Sequence, residues 1–241
     1  MPETIVRINA WCGPRNISTA LMYSFAQRSD TRVYDEPLYG YYLNATPADQ
    51  YHPGAKQVLL EMELDGNKVV AMMKGNHGKE VAFFKQMTHH LHELDRGFMA
   101  DMKHLILTRD PVDMLPSFAK EIERPSMLDV GYQAHIELIT YLENLGVTPI
   151  VLDSKNVLEH PEEQLQKLCA ALNIPFEKAM LSWPKGARPE DGSWAKYWYK
   201  SVHNSSGFMP YNRKDEPFPE HLKPLLEASA PLYEQLKGMA L

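Results

Sequence analysis

Residues 12–19 read Cys12-Gly13-Pro14-Arg15-Asn16-Ile17-Ser18-Thr19, a turn-forming pair followed by a guanidinium and two adjacent hydroxyls. Arginine carries a permanent charge on forked donors that match phosphate or sulfate oxygens. Ser18 and Thr19 add hydroxyl donors at the start of a helical pattern, where free backbone N–H groups and the helix dipole also favour an anion. The chemistry assembled here is anion binding. The loop is not a GxxxxGK[ST] phosphate loop: Gly13 is its one glycine and no Lys precedes the hydroxyl pair, which disfavours an ATPase or GTPase. Taken alone, Ser18 as a helix cap and Arg15 as a solvated charge explain the spacing equally well.

A second candidate stands in Thr108-Arg109-Asp110-Pro111, where an apolar run passes into a Pro-initiated helix that carries Ser117. An Arg at a strand's carboxyl end and a Ser on the next helix can grip one phosphate together. The alternative is an Arg109 paired to a neighbouring acid. Lys74, His77 and Lys79 form a small basic group better read as an exposed polar turn. The ten histidines show no HxxxH or HExxH pairing, so no metal is expected.

These residues must be positioned by strands. Thr4–Trp11 alternates apolar and polar residues before Gly13-Pro14, which predicts a first strand entering the loop. Leu21, Met22 and Phe25 then share a helical stripe. Short apolar runs follow at Thr31–Tyr34, Val81–Phe84, His104–Thr108 and Pro149–Leu152, separated by helical patterns at Val112–Glu123, Gly131–Leu145 and Pro161–Leu172. This alternation predicts an α/β fold with a mostly parallel sheet between helical layers. Leu59–Leu64 fits a hairpin strand or a helix. From Trp183 to Pro219 the chain is rich in Gly, Pro, Ser and aromatics, the composition of a long ordered loop or lid, and a last helix is expected over Glu220–Leu236.

With 241 residues, 44% hydrophobic and 23% charged, the chain suits one α/β domain and excludes disordered or fibrous classes. A formal charge of −6 supplies no basic field, which argues against nucleic acid or an anionic membrane as main partner. Any anion must be met locally. Two cysteines, Cys12 and Cys169, make no disulfide framework, and neither a leader nor a spanning segment is apparent; a cytoplasmic setting is expected.

Pro14-Arg15-Asn16-Ile17-Ser18-Thr19 resembles the 5′-phosphosulfate loop of PAPS-dependent sulfotransferases, usually Pro-Lys/Arg-Ser-Gly-Ser/Thr-Thr. Thr108-Arg109-Asp110-Pro111 with Ser117 is similar to their 3′-phosphate motif. Weaker likenesses are Asp153–Leu158 with the stripe after Pro161, and Lys185-Gly186 with Gly192 and Trp194, which looks like the loop that closes over the nucleotide. The resemblance covers most of the chain and implies a single P-loop-type three-layer αβα domain, with residues 44–80 as an acceptor-binding insertion and 183–219 as a lid. It implies PAPS as donor, held by Gly13 to Thr19, Arg109, Ser117, Lys185, Gly186 and Trp194. The acceptor is a small molecule with a hydroxyl or amine.

Arg15 then faces the leaving phosphate, and the base is Glu36, after Tyr34-Asp35, or His89, in Lys85-Gln86-Met87-Thr88-His89-His90. Ile17, where the family usually has Gly, departs from the pattern. Two other readings stay open: a P-loop kinase, which would need a metal-binding acid and a phosphate lysine absent from the loop, and a nucleotide-binding module without turnover. A homodimer is compatible with the sequence.

Overall fold

The computed structural model describes residues 5–213 and 216–241; Thr4 at the start of the expected first strand, and positions 214 and 215 of the expected lid, lie outside them. Five strands form one sheet: β1 (Val6–Cys12), β2 (Thr31–Asp35), β3 (Val81–Met87), β4 (Lys103–Thr108) and β5 (Ile150–Asp153). All pairings are parallel and the order is β2-β3-β1-β4-β5. Each strand falls where a short apolar run stands in the sequence. The near-continuous apolar character follows from burial on both faces.

Helices are α1 (Ser18–Ala26), α2 (Tyr39–Ala45), α3 (Ala55–Glu61), α4 (Gly66–Lys74), α5 (Pro111–Phe118), α6 (Met127–Val130), α7 (Tyr132–Asn144), α8 (Ser154–Glu159), α9 (Pro161–Leu172), α10 (Ala195–Trp198), α11 (Lys200–His203) and α12 (Lys223–Gly238). Leu21, Met22 and Phe25 of α1 and Leu165, Leu168 and Leu172 of α9 share one core with Ile8, Phe83 and Leu105. Met114 and Leu115 of α5, Leu138 and Leu142 of α7 and Leu236 of α12 share a second with Trp11, Phe84 and Ile106. Neighbouring strand residues therefore feed opposite cores, and the sheet is covered on both faces in an αβα arrangement.

From β1 the chain visits β2 and β3 on one side, then β4 and β5 on the other. The loops after β1 and β4 therefore open a crevice at the carboxyl edge of the sheet. The ambiguous stretch Leu59–Leu64 resolves as the end of α3 followed by extended chain at Met62. Ala55 and Val58 are buried while Leu60 is 82% exposed, a helical spacing that a strand would not produce. Asp65 caps α4 by accepting from the Asn67 and Lys68 N–H groups. The stretch 183–213 carries two short helices and is tied down at both ends, Trp183 N–H donating to Ser206 O and Gly186 N–H to His203 O. Among the described residues no helix is long and apolar enough to cross a membrane.

Candidate active site

A cavity of about 510 Å³ opens at the carboxyl edge, walled by the loop after β1, the ends of β2, β3 and β4, and the 194–212 segment. Gly13, Pro14, Arg15, Asn16, Ile17, Ser18, Thr19, Glu36, His89, Arg109, Ser117 and Trp194 all line it. Lys185 and Gly186 do not. Lys185 is exposed, and the Gly186 N–H is consumed by His203 O at 2.8 Å, so this pair folds the closing segment instead of facing the cavity. Lys74, His77 and Lys79 are also absent from the lining; His77 is buried between Tyr34 OH and Met73 O.

The loop's conformation is held by Asn16. Its Oδ1 accepts from Ser18 N–H at 3.0 Å while its Nδ2 donates to Leu107 O at 3.1 Å, joining the loop to β4. Ser18 is thus the first residue of α1 and not its cap; the cap position is Ile17, with no side-chain hydrogen bond. An Asx side chain reaches the N–H two residues on, which is the bond Asn16 makes. Ile17 has φ −88°, open to any residue, and its side chain packs on the core shared with Leu21. The left-handed residue is Arg15, at φ +51°.

Arg109 Nη1 donates to Arg15 O at 2.7 Å, Arg15 Nε donates to Ser117 Oγ at 3.2 Å, and Arg15 Nη1 donates to Trp198 O at 3.2 Å. Tyr132 OH donates to Arg109 O at 2.6 Å, so α7 steadies the Arg109 backbone. Among the described residues neither guanidinium forms an ion pair. Burial draws the Arg15 guanidinium below its usual value, Glu121 opposing and Arg109 adding to the effect, and it stays charged. Two partly buried, unpaired cations side by side are stabilised by an anion between them.

The opposite wall holds a buried charge cluster. Parallel pairing sets Asp35 of β2 beside Lys85 of β3. Lys85 Nζ donates to Asp35 Oδ1 at 2.9 Å, to Tyr199 OH at 2.7 Å and to Glu36 Oε1. Tyr199 OH in turn donates to the Asp35 carboxylate at 2.8 Å. Glu36 leaves β2 at φ +48°, with Oε2 4.0 Å from His90 Nε2. Burial pushes the Glu36 carboxyl up, Lys85 pulls it down and Asp35 pushes it up again. The Lys85 ammonium, although desolvated, is held charged by its two carboxylates.

His90 is stacked against Tyr39 at 5.1 Å and Tyr42 at 4.9 Å, with its Nδ1 buried and without a partner. His89, half-buried, meets His90 edge-on at 4.8 Å, and burial pushes it down to about 3. His90 and not His89 is the imidazole beside Glu36. Lys85 and Asp35 were missed by sequence reasoning. A Lys inside the apolar run Val81–Phe84–Met87 was the available signal, since an unpaired Lys is costly in a buried strand.

A family model described as the sulfotransferase domain matches residues 6–240. The chain belongs to that family. Its fold is similar to a sulfotransferase domain from the curacin biosynthetic pathway, with TM-score 0.55, 17% identity and 98% of each chain covered. It is likewise similar to a sulfotransferase from Alicyclobacillus acidocaldarius, with TM-score 0.55, 15% identity, and 97% of this chain and 94% of that one covered. At such identities the likeness concerns the fold. The chain is 43% identical over 233 residues to branched-chain-amino-acid aminotransferase-like protein 1 of Arabidopsis thaliana, and 40% identical over 232 residues to protein 2 of that name. Those matches take in 96% and 95% of this chain but 41% of each relative, so the chain spans about two fifths of their length.

Proposed function

We propose that this chain is a sulfotransferase that uses PAPS as donor and a small-molecule hydroxyl or amine as acceptor. The observation that carries the reading is the pair of guanidinia in one cavity with Glu36, Arg15 donating to Ser117 and Arg109 donating to the Arg15 carbonyl of the Gly13–Thr19 loop. Charge unpaired within the protein, backbone N–H groups at the start of α1 and a hydroxyl on α5 form a fitting set for two phosphate groups of one nucleotide. In the reaction, acceptor oxygen or nitrogen bonds to sulfur, the bond from sulfur to the bridging phosphate oxygen breaks, adenosine 3′,5′-bisphosphate leaves, and the acceptor proton passes to Glu36, His89 being the weaker base because burial pushes it down to about 3. Arg15 stabilises charge on the leaving phosphate, and Arg109 binds the 3′-phosphate and buttresses the Arg15 backbone. Trp194 and the 198–212 segment exclude water over the donor.

Aminotransferase in the relatives' name is said of proteins more than twice this length, and the portion matched here is the sulfotransferase domain. A kinase reading lacks support, since the loop offers no Lys to nucleotide phosphates.

Thermal denaturation tests the donor. Adenosine 3′,5′-bisphosphate raises Tm in the absence of magnesium, ATP with magnesium does so much less, and Arg109→Ala removes the advantage of the 3′-phosphorylated ligand over its dephospho form. No Tm rise at millimolar bisphosphate sinks the PAPS reading.

A further inference from the structure

The cavity is electrically lopsided. Its lining cations among the described residues are Arg15, Arg109 and Lys85, and the last is matched by Asp35 and Glu36. The cavity is also lined by Asp129, His52, His89, His90 and Tyr39, with Asp129 near enough to His52 and His89 to act on both imidazoles. Asp129 uses Oδ2 to accept from Ser126 N–H at 2.7 Å and Ser126 Oγ at 2.6 Å, closing a capping box at α6. Its other oxygen accepts no hydrogen bond from the described residues, and none of the described cations pairs with it. The imidazoles around it are uncharged: burial lowers His52 and His89, with Asp129 pulling both back up, and burial lowers His90 further. His90 is 1% exposed and its Nδ1 is an unpartnered lone pair or N–H.

A half-buried carboxylate, neutral imidazoles and aromatic faces without a lysine or arginine among them offer acceptors to a ligand that has donors only. That is the recognition chemistry of an ammonium group. An acceptor bearing a carboxylate or phosphate there would meet the Asp129 carboxylate with no described cation beside it, which disfavours its binding. The donor end already satisfies the anions of the nucleotide.

We infer that the sulfuryl acceptor is an alcohol carrying a separate protonated amine, the ammonium being held by Asp129 with the His52–His90 wall while the hydroxyl faces Glu36. The inference rests on the sulfotransferase reading of the same cavity. The ammonium keeps its protons throughout. Only the hydroxyl loses one, to Glu36, as its oxygen bonds to sulfur and the bisphosphate departs.

The test uses linear amino alcohols from ethanolamine to aminohexanol, each beside the plain alcohol and the hydroxy acid of equal length. Binding is followed by Tm and calorimetry with and without adenosine 3′,5′-bisphosphate, and turnover with PAPS. At the best chain length the amino alcohol has a KM about tenfold below the plain alcohol, and the hydroxy acid binds weakest. Asp129→Asn, which keeps an oxygen for Ser126, brings the ratio of the two KM values close to one. Equal binding of amino alcohol and plain alcohol by the wild-type protein overturns the inference, and so does a preference that survives Asp129→Asn. If Asp129→Asn does not fold, the wild-type ladder decides alone. A bisphosphate that fails to bind sinks the donor reading instead, and amino-alcohol binding without it still reports on the Asp129 end.

Discussion

Glu36 sits 8% exposed beside Asp35, so two carboxylates share the single ammonium of Lys85. Burial raises the Glu36 carboxyl, Lys85 opposes this, and the neighbouring Asp35 carboxylate adds to the raise. A raised acid contributes stability below its unfolded value of about 4.3 that is lost as pH rises through the folded value. At neutral pH ionised Glu36 therefore costs stability. Glu36→Gln leaves Lys85 paired with Asp35 and melts higher than wild type at pH 7, an advantage that shrinks toward pH 4, while sulfated product falls by about 100-fold or more. Calorimetry at the two pH values and a turnover assay check this. A variant that melts lower at pH 7 shows instead that Lys85 needs both carboxylates.

The segment that closes the cavity is anchored by residues distant in sequence. Gly192 N–H donates to Asp35 Oδ2 at 3.1 Å, Tyr23 OH donates to the Asp191 carboxylate, and Trp198 O accepts from Arg15. A Cβ on Gly192 would stand 2.1 Å from the Trp194 indole, which is itself 3% exposed and cannot swing away without opening this layer. Gly192→Ala is expected to cost about 1–3 kcal/mol and to weaken bisphosphate binding. Gly238→Ala, at the end of α12 with open space around it, is expected to be neutral or stabilising by about 0.5 kcal/mol. Urea melts of both variants, with and without bisphosphate, make the comparison. Similar losses for the two would show that the indole is not packed on residue 192.

Across the whole molecule, acid stability is governed by histidines buried in the neutral state. His104 accepts from Trp11 Nε1–H on Nδ1 at 2.9 Å and its Nε2 faces Met99 O at 2.9 Å, so a second ring proton would break the Trp11 bond. Burial lowers His104 to about 4, and lowers His135, beneath the anion loop, to about 4 as well. A lowered histidine contributes stability that is complete above its unfolded value of about 6.5 and is lost as pH falls toward the folded value. Unfolding free energy is therefore expected to fall between pH 6.5 and 4 by up to about 1.4 kcal/mol per pH unit for each of the two. Urea titrations at pH 7, 6 and 5 read this slope. A flat profile refutes it.

The strands, their parallel pairing and the place of the loop after β1 were legible in the chain, because apolar runs of strand length between helical patterns have few other uses and Arg15 and Arg109 each stand at a strand's end. Local pattern also yields Glu36, which follows β2 directly. It does not yield the partner of Glu36. Lys85 and Asp35 meet because β2 pairs with β3, and Tyr199 joins them from a segment 114 residues beyond Lys85. Nor does it reveal that Lys185 and Gly186 turn away, since a backbone N–H is spent on whichever carbonyl the fold brings near. Residue types and their spacing along one element are set by local chain geometry, and so can be read from sequence. Which charges neutralise each other, and which are left for a ligand, depends on contacts between distant segments, and those exist only once the sheet has formed.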